Sequence, residues 1–299
     1  HLLPGISLAE VNAAIGAFLG PGSRLVTVTM PEKKGLAPPT EASLAALVDG
    51  KRLWSRHMSM ARIGATAAGG VNRQALSDED IEARRQLMAW GSDIGLVPYT
   101  DPMANLFLRL EGEDSQAPPV VTGSHLDSQP TGGKFDGVFG VLAGLEALEA
   151  MHAANFRPRR PIELVAWTNE EGSRFAPSMM GSSVFRGQRS MASMLAVSDS
   201  QGTVMSDARA RVRAAEPDVA ERPLGFPIAA YVEAHIEQGP ILEIEDKVVG
   251  VVTGIQGKRV FHVEVCGEES HAGTSPRRIR KDALVSAAAI GLPEAYPGG

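Results

Sequence analysis

The chain has 299 residues, 43% of them hydrophobic and 21% charged, a balance that can bury a core in about two domains and excludes a disordered tail or a fibre. Lys and Arg number 29 against 35 Asp and Glu; the net charge of −6, with no basic stretch interleaved with aromatics, argues against a nucleic-acid surface. The single cysteine, Cys266, excludes an intramolecular disulfide and fits a reducing, cytoplasmic setting.

Residues 1–48 read as an N-terminal extension: a helix around Ser7 to Leu19, then the turn-rich PGS, PEKKG and APPT, without the basic and apolar regions of a signal peptide. A helix is expected from Asp49 to about Ala61. Ser77 caps another, SDEDIEARRQLMAWGSDIG, with acids in its first turn and Gly95 at its end. NLFLRL (105–110) alternates as a strand should, and PPVVTG (118–123) is a second, apolar strand. After the glycine-rich TGGKFDG comes a helix from Gly137 to about Ala154, with Val138, Val141, Leu142, Leu145 and Leu148 on one face. Its Glu146 and Glu149 mark it as an amphipathic helix and not a membrane span. PIELVAWTN (161–169) is a further buried strand, and strand, helix, strand in this order predicts a βαβ unit and a largely parallel sheet. Strands are expected to dominate from Val248 to Val265, where Phe261, Val263 and Val265 alternate against His262 and Glu264. KDALVSAAAI starts a helix near Lys281.

Metal-type ligands concentrate in segments that follow expected strands, the edge of an open α/β sheet where sites form. In GSHLDS, His125 with Asp127 two residues on suits a ligand imidazole whose second nitrogen is held by an acid, though HxD alone is common in loops. Asp136 falls at the expected N-cap of the long helix, a place that needs no function, since Asp there satisfies free N–H groups. In TNEEGS, Glu170 and Glu171 end an apolar strand, so that one carboxylate could hold a metal while its neighbour serves as general base; the plainer reading of an isolated pair is a solvated acidic turn. His235 in AHIEQGP, taken alone, reads as a packed or capping residue. Together His125, Asp136, Glu171 and His235 supply N and O ligands of the kind zinc, manganese or cobalt accept. No GxSxG elbow, P-loop or GxGxxG competes with them, which leaves a metal-activated water as the best candidate nucleophile. His57, His152 and His262 fall in ordinary helix and strand patterns.

GSHLDSQPTGGKFDG, WTNEEGSRFAPSMMGSSVF, YVEAHIEQGPILE and EESHAGTSP, in this order and with ARIGATAAGGVNRQALSDED upstream, resemble the hydantoinase/carbamoylase amidase branch of the M20 metallopeptidase clan. The branch includes N-carbamoyl-L-amino acid hydrolases, allantoate amidohydrolases and β-ureidopropionases. The resemblance implies an α/β catalytic domain with a central mixed sheet, over 49–254, and an inserted α+β lid and dimerisation domain, of which 255–299 are the start. It implies two divalent ions per subunit, Zn2+ or Mn2+, Co2+ or Ni2+, with Asp136 bridging them, His125 and His235 on one and Glu171 on the other. Glu170 would be the general base, Asp127 would orient His125, His271 would reach the active site of a partner subunit to stabilise the oxyanion, and Gln238 would contact substrate. The implied reaction is hydrolysis of a linear amide or ureido C–N bond, foremost of an N-carbamoyl-L-amino acid to the amino acid, CO2 and ammonia, with allantoate or β-ureidopropionate next. The implied partners are a small-molecule substrate and a second copy of the chain, with neither nucleic acid nor membrane.

Family members also supply a further metal-ligating histidine near the C-terminus and a lid arginine that binds the substrate carboxylate. No histidine follows His271 here, and Arg277, Arg278 and Arg280 lie too near HAGTSP to stand in for that arginine. The expectation is therefore that these 299 residues are part of a longer enzyme. The alternative, of another class, is a truncated fragment or pseudoenzyme that only dimerises or binds ligand.

Overall fold

A computed structural model describes residues 48–254 and 263–291. The chain divides into two compact units, one ending at Gly250 and one starting at Val251. The helix expected around Ser7 to Leu19, and Phe261 and His262, lie outside the described residues.

In the first unit, Asp49 caps α1 (Gly50–Met60) by accepting from the amides of Lys51 and Arg52. Ser77 caps α2 (Asp78–Ser92) by accepting from Asp80 N–H, while the Asp80 carboxylate reaches back to Leu76 N–H at 2.8 Å. Gly95, just past the end of α2, takes φ +76° and turns the chain into β1 (Val97–Thr100). There follow β2 (Leu106–Leu110), β3 (Val120–His125), α3 (Val138–Ala153) and β4 (Ile162–Trp167). After them come α4 (Met180–Phe185), α5 (Met191–Leu195), α6 (Met205–Ala215), β5 (Ala220–Glu221), β6 (Ala230–Val232) and α7 (Ile241–Ile244).

The strands form one six-stranded mixed sheet in the order β5-β1-β2-β4-β3-β6. β3, α3 and β4 are the expected βαβ unit, with β3 and β4 parallel from Val120↔Ile162 to His125↔Trp167. The sheet is less parallel than the sequence suggests, because β2 runs antiparallel to both β1 and β4. VPYT and the two-residue β5 are too short and too polar to announce themselves as strands.

Both faces of the sheet are covered, as its apolar runs require. Leu106, Leu108, Leu164 and Ala166 join Met60, Leu87, Val141, Leu142 and Leu145 in one core. The alternate residues Phe107 and Val165 pack with Val121 and Phe185 in another. α3 buries the five residues expected to face inward, and its Gly144 is in close approach: a Cβ there would meet a Leu164 methyl at 2.6 Å. Glu146 corrects the amphipathic reading of α3. It is 1% exposed and accepts from Arg52 at 2.9 and 2.7 Å, a buried charge held by a fork of donors from α1.

In the second unit, a 3-10 turn (Arg277–Ile279) precedes α8 (Ala283–Gly291), where Asp282 accepts from Val285 N–H at 3.0 Å. The strands expected over Val248 to Val265 do not form among the described residues of that stretch. Val252 and Val263 there are 78% and 57% exposed, and alternation without a neighbouring edge does not hold a strand in water. Among the described residues no helix is long and apolar enough to cross a membrane.

Candidate metal centre and carboxylate pair

Register brings the two histidines together. β3 and β6 pair in parallel from Val120↔Ala230, and His125 and His235 each lie five residues further on. Adjacent strands run about 4.8 Å apart, so side chains at matched positions become neighbours. The imidazoles stack with centroids 6.1 Å apart.

Each ring is fixed by a carbonyl. His125 Nδ1 lies 2.9 Å from the Asp127 carbonyl and His235 Nδ1 lies 2.8 Å from the Ile236 carbonyl. A carbonyl can only accept, so Nδ1 carries a proton in both rings, and in the neutral ring Nε2 is left with its lone pair. Both lone pairs face one carboxylate: Asp136 Oδ1 is 3.9 Å from His125 Nε2 and 3.3 Å from His235 Nε2. Ligand atoms of His125, Asp136 and His235 all lie within 4.8 Å of one another, a group that could hold a metal ion.

Asp136 is not the N-cap the sequence suggested. Gly137 takes that position at φ +64°, with no side-chain capping bond, which frees the Asp136 carboxylate to face the histidines. Gly137 is needed twice over, since a Cβ on it would meet His125 Nε2 at 2.3 Å.

The acidic pair arrives from β4. The Asp127 carboxylate accepts from Glu170 N–H and Glu171 N–H, both at 3.2 Å, and Met179 N–H donates to the Glu170 carbonyl at 2.8 Å. The expected hold of Asp127 on His125 is therefore made through its carbonyl, its carboxylate standing 3.7 Å from the ring while it anchors the EE turn. Glu170 Oε2 reaches 3.5 Å from His125 Nε2. Gln129 donates to Glu171 Oε2 at 2.7 Å, whereas Glu171 Oε1 is buried without a hydrogen-bond partner. An orphaned buried carboxylate oxygen is the kind of atom that a cation would satisfy, but Glu171 is not among the three residues whose ligand atoms converge within 4.8 Å.

Burial raises the Asp127 carboxyl to about 7, opposed chiefly by the His125 charge. Glu170 is likewise raised, first by burial, with Glu171 and Asp136 adding to it against His125. Burial works to lower His125, but Asp127 and then Glu170 raise it on balance.

Gln238 donates to Asp136 Oδ2 at 2.5 Å from a backbone at φ +56°, a region few non-glycine residues adopt. His271 belongs to the second unit, where its Nδ1 accepts from Gly273 N–H at 3.0 Å and Thr274 N–H at 3.1 Å. In the neutral ring Nε2 then carries the proton and can donate.

Two supports escaped the sequence reading. Gln129 lies inside GSHLDSQPTGGKFDG but is given no role there. Arg73, 1% exposed, donates to the Leu126 carbonyl between His125 and Asp127 at 2.7 Å and to the Met60 and Ile63 carbonyls at 3.1 and 2.9 Å. Its signal was its place in GGVNRQAL, a segment quoted for the resemblance but given no role.

The description Peptidase family M20/M25/M40 matches residues 121–297. An N-carbamoyl-L-amino-acid amidohydrolase of Rhizobium meliloti is 45% identical over 244 residues, covering 81% of this chain and 58% of the relative. An allantoate amidohydrolase of Bacillus subtilis is 36% identical, covering 77% and 56%. The crystal structure of a hydantoinase/carbamoylase family amidase from Burkholderia ambifaria superposes with a TM-score of 0.69 at 44% identity, covering 82% of this chain and 60% of that one. The chain thus spans less than two thirds of the length of these relatives. It belongs to the peptidase family M20/M25/M40, and the solved structure it is similar to is a hydantoinase/carbamoylase family amidase.

Proposed function

We propose that the protein hydrolyses the C–N bond of a linear ureido compound, foremost an N-carbamoyl-L-amino acid, as a metal-dependent amidohydrolase. The observation that carries the reading is the convergence of His125 Nε2, Asp136 and His235 Nε2 beside the raised Glu170 carboxyl. His125, Asp136 and His235 would hold one divalent ion, and Asp136 with Glu171 a second; zinc, manganese, cobalt and nickel all suit these ligands. Bound there, the ions supply a water of lowered pKa and polarise the ureido carbonyl.

Glu170 takes the proton of the attacking water. Water oxygen adds to the ureido carbon, the bond from that carbon to the amino-acid nitrogen breaks, and Glu170 delivers its proton to the departing nitrogen. The carbamic acid released falls to CO2 and ammonia. Burial suits Glu170 to both halves of the cycle, because a raised carboxyl is a stronger base and still gives the proton up. Asp127 keeps Glu170 and Glu171 in place through their amides. His271, a donor at Nε2, is assigned the oxyanion of a partner subunit, which makes the working form a homodimer. Gln238 is assigned a substrate contact, for which it would give up its bond to Asp136. The lone cysteine supports a cytoplasmic setting.

Ammonia release from N-carbamoyl-L-methionine, N-carbamoyl-β-alanine and allantoate, each with added Mn2+ or Co2+, tests the reading. Turnover of the first is expected to exceed the others. Cleavage of a dipeptide and none of the three would overturn it.

A further inference from the structure

Beyond the ligands, one polar knot joins the strands that carry them. Tyr231 and Glu233 project from the same side of the β6 segment as His235, four and two residues before it. The Tyr231 hydroxyl sits where three strands end: it accepts from Trp167 Nε1 of β4 at 3.0 Å, and lies 2.8 Å from Glu233 Oε2 and 3.2 Å from the Gly123 carbonyl of β3. The second Glu233 oxygen accepts from the Ser124 hydroxyl of β3, itself 1% exposed. Ser124 is adjacent to His125, Glu233 is two residues from His235, and Trp167 is three residues from Glu170. The helix side is fixed too, since a Cβ on Gly140 of α3 would meet the Ala234 carbonyl at 2.3 Å and Ser124 Cβ at 2.8 Å.

β6 needs such a tie. Its ladder to β3 ends at Thr122↔Val232, and Glu233 to Gln238 have no strand partner. Nothing in the backbone pairing past that point sets how far His235 stands from His125. Glu233 spans the gap with both oxygens engaged, one from each strand.

The geometry points to Tyr231, Glu233 and Ser124 as positioning residues that set the His125–His235 separation and so the affinity of the metal centre. The inference rests on the metal reading above. Partners behind metal ligands typically contribute 10–100-fold in affinity.

The test uses Co2+ as probe, followed by equilibrium titration and by its visible absorption, with Tyr231→Phe, Glu233→Gln and Ser124→Ala beside the wild type. Tyr231→Phe keeps the ring of a residue 38% exposed, so it is expected to fold. Each variant is expected to bind Co2+ about 10–100-fold more weakly with a shifted absorption band, while the unfolding midpoint of the metal-free protein stays at the wild-type value. Wild-type affinity and spectrum in all three variants would overturn the inference and leave the metal reading standing. Loss of affinity in step with a lower metal-free midpoint would also overturn it, by showing a general structural role. A wild type that binds no Co2+ would overturn both.

Discussion

His125 and His235 stand side by side, yet the first has a side chain 2% exposed and the second 33%. Around His125 the constraints multiply: Arg73 braces the next peptide, Gly137 presses on the ring, and Asp127 ties the turn to the acidic pair. Around His235 they thin to one carbonyl and the Glu233 tie. The difference teaches that one wall of the centre is part of the core and is as stable as the fold, while the other is an edge whose geometry is set by a few bonds. Substitutions on the first wall should therefore unfold the protein before they inform about metal, and on the second should do the reverse.

The largest effect on stability is expected from Arg73→Ala, which takes a side-chain donor from three buried carbonyls and removes a buried cation that interacts with Asp80 and Asp127. Breaking such a buried charge arrangement costs about 3–5 kcal/mol, read as a fall in the free energy of urea unfolding. Gly137→Ala should follow at about 1–3 kcal/mol, since a Cβ at φ +64° is strained and collides with the His125 ring.

His57 sharpens the comparison by pH. It is buried against Phe135 and Phe139 with neither ring nitrogen hydrogen-bonded, and burial pushes its pKa from 6.5 down to about 4. The folded state thus holds His57 neutral, while the unfolded chain takes up a proton as pH falls through 6.5. Its contribution to stability is full above pH 6.5 and is lost progressively toward pH 4. As pH falls across that range the thermal midpoint of the wild type should drop relative to that of His57→Leu; parallel curves would refute the assignment. The smallest stability effect belongs to His235→Ala on the exposed edge, expected under about 1 kcal/mol, with Co2+ affinity nonetheless falling by at least roughly 100-fold.

How far the sequence could be read follows the same division. Long periodic segments, caps and the apolar strands flanking α3 were legible, because burial and periodicity act within a few residues. His125, Asp136, Glu170, Glu171 and His235 were legible as chemistry but not as geometry. Asp136 looked like a helix cap because nothing local says that Gly137 takes that place. Glu146 looked solvated because its partner Arg52 lies 94 positions away. Gln129, Arg73 and the tie from Glu233 to Ser124 act on partners distant in sequence, and apart from Arg73's place in GGVNRQAL no short-range pattern marks them. Among the described residues of Val248 to Val265 the expected strands are not found for the opposite reason: apolar residues such as Val252 and Val263 are there, but they stand exposed without a strand partner.

The most direct test is Glu170→Gln, assayed for metal content and for ammonia release from N-carbamoyl-L-methionine. The substitution keeps the side chain's size and removes only its capacity to take a proton. Metal content equal to wild type with turnover reduced by about 10²–10⁴-fold is expected of a general base standing beside the cations. Undiminished turnover, or turnover lost only in proportion to metal, would contradict the account.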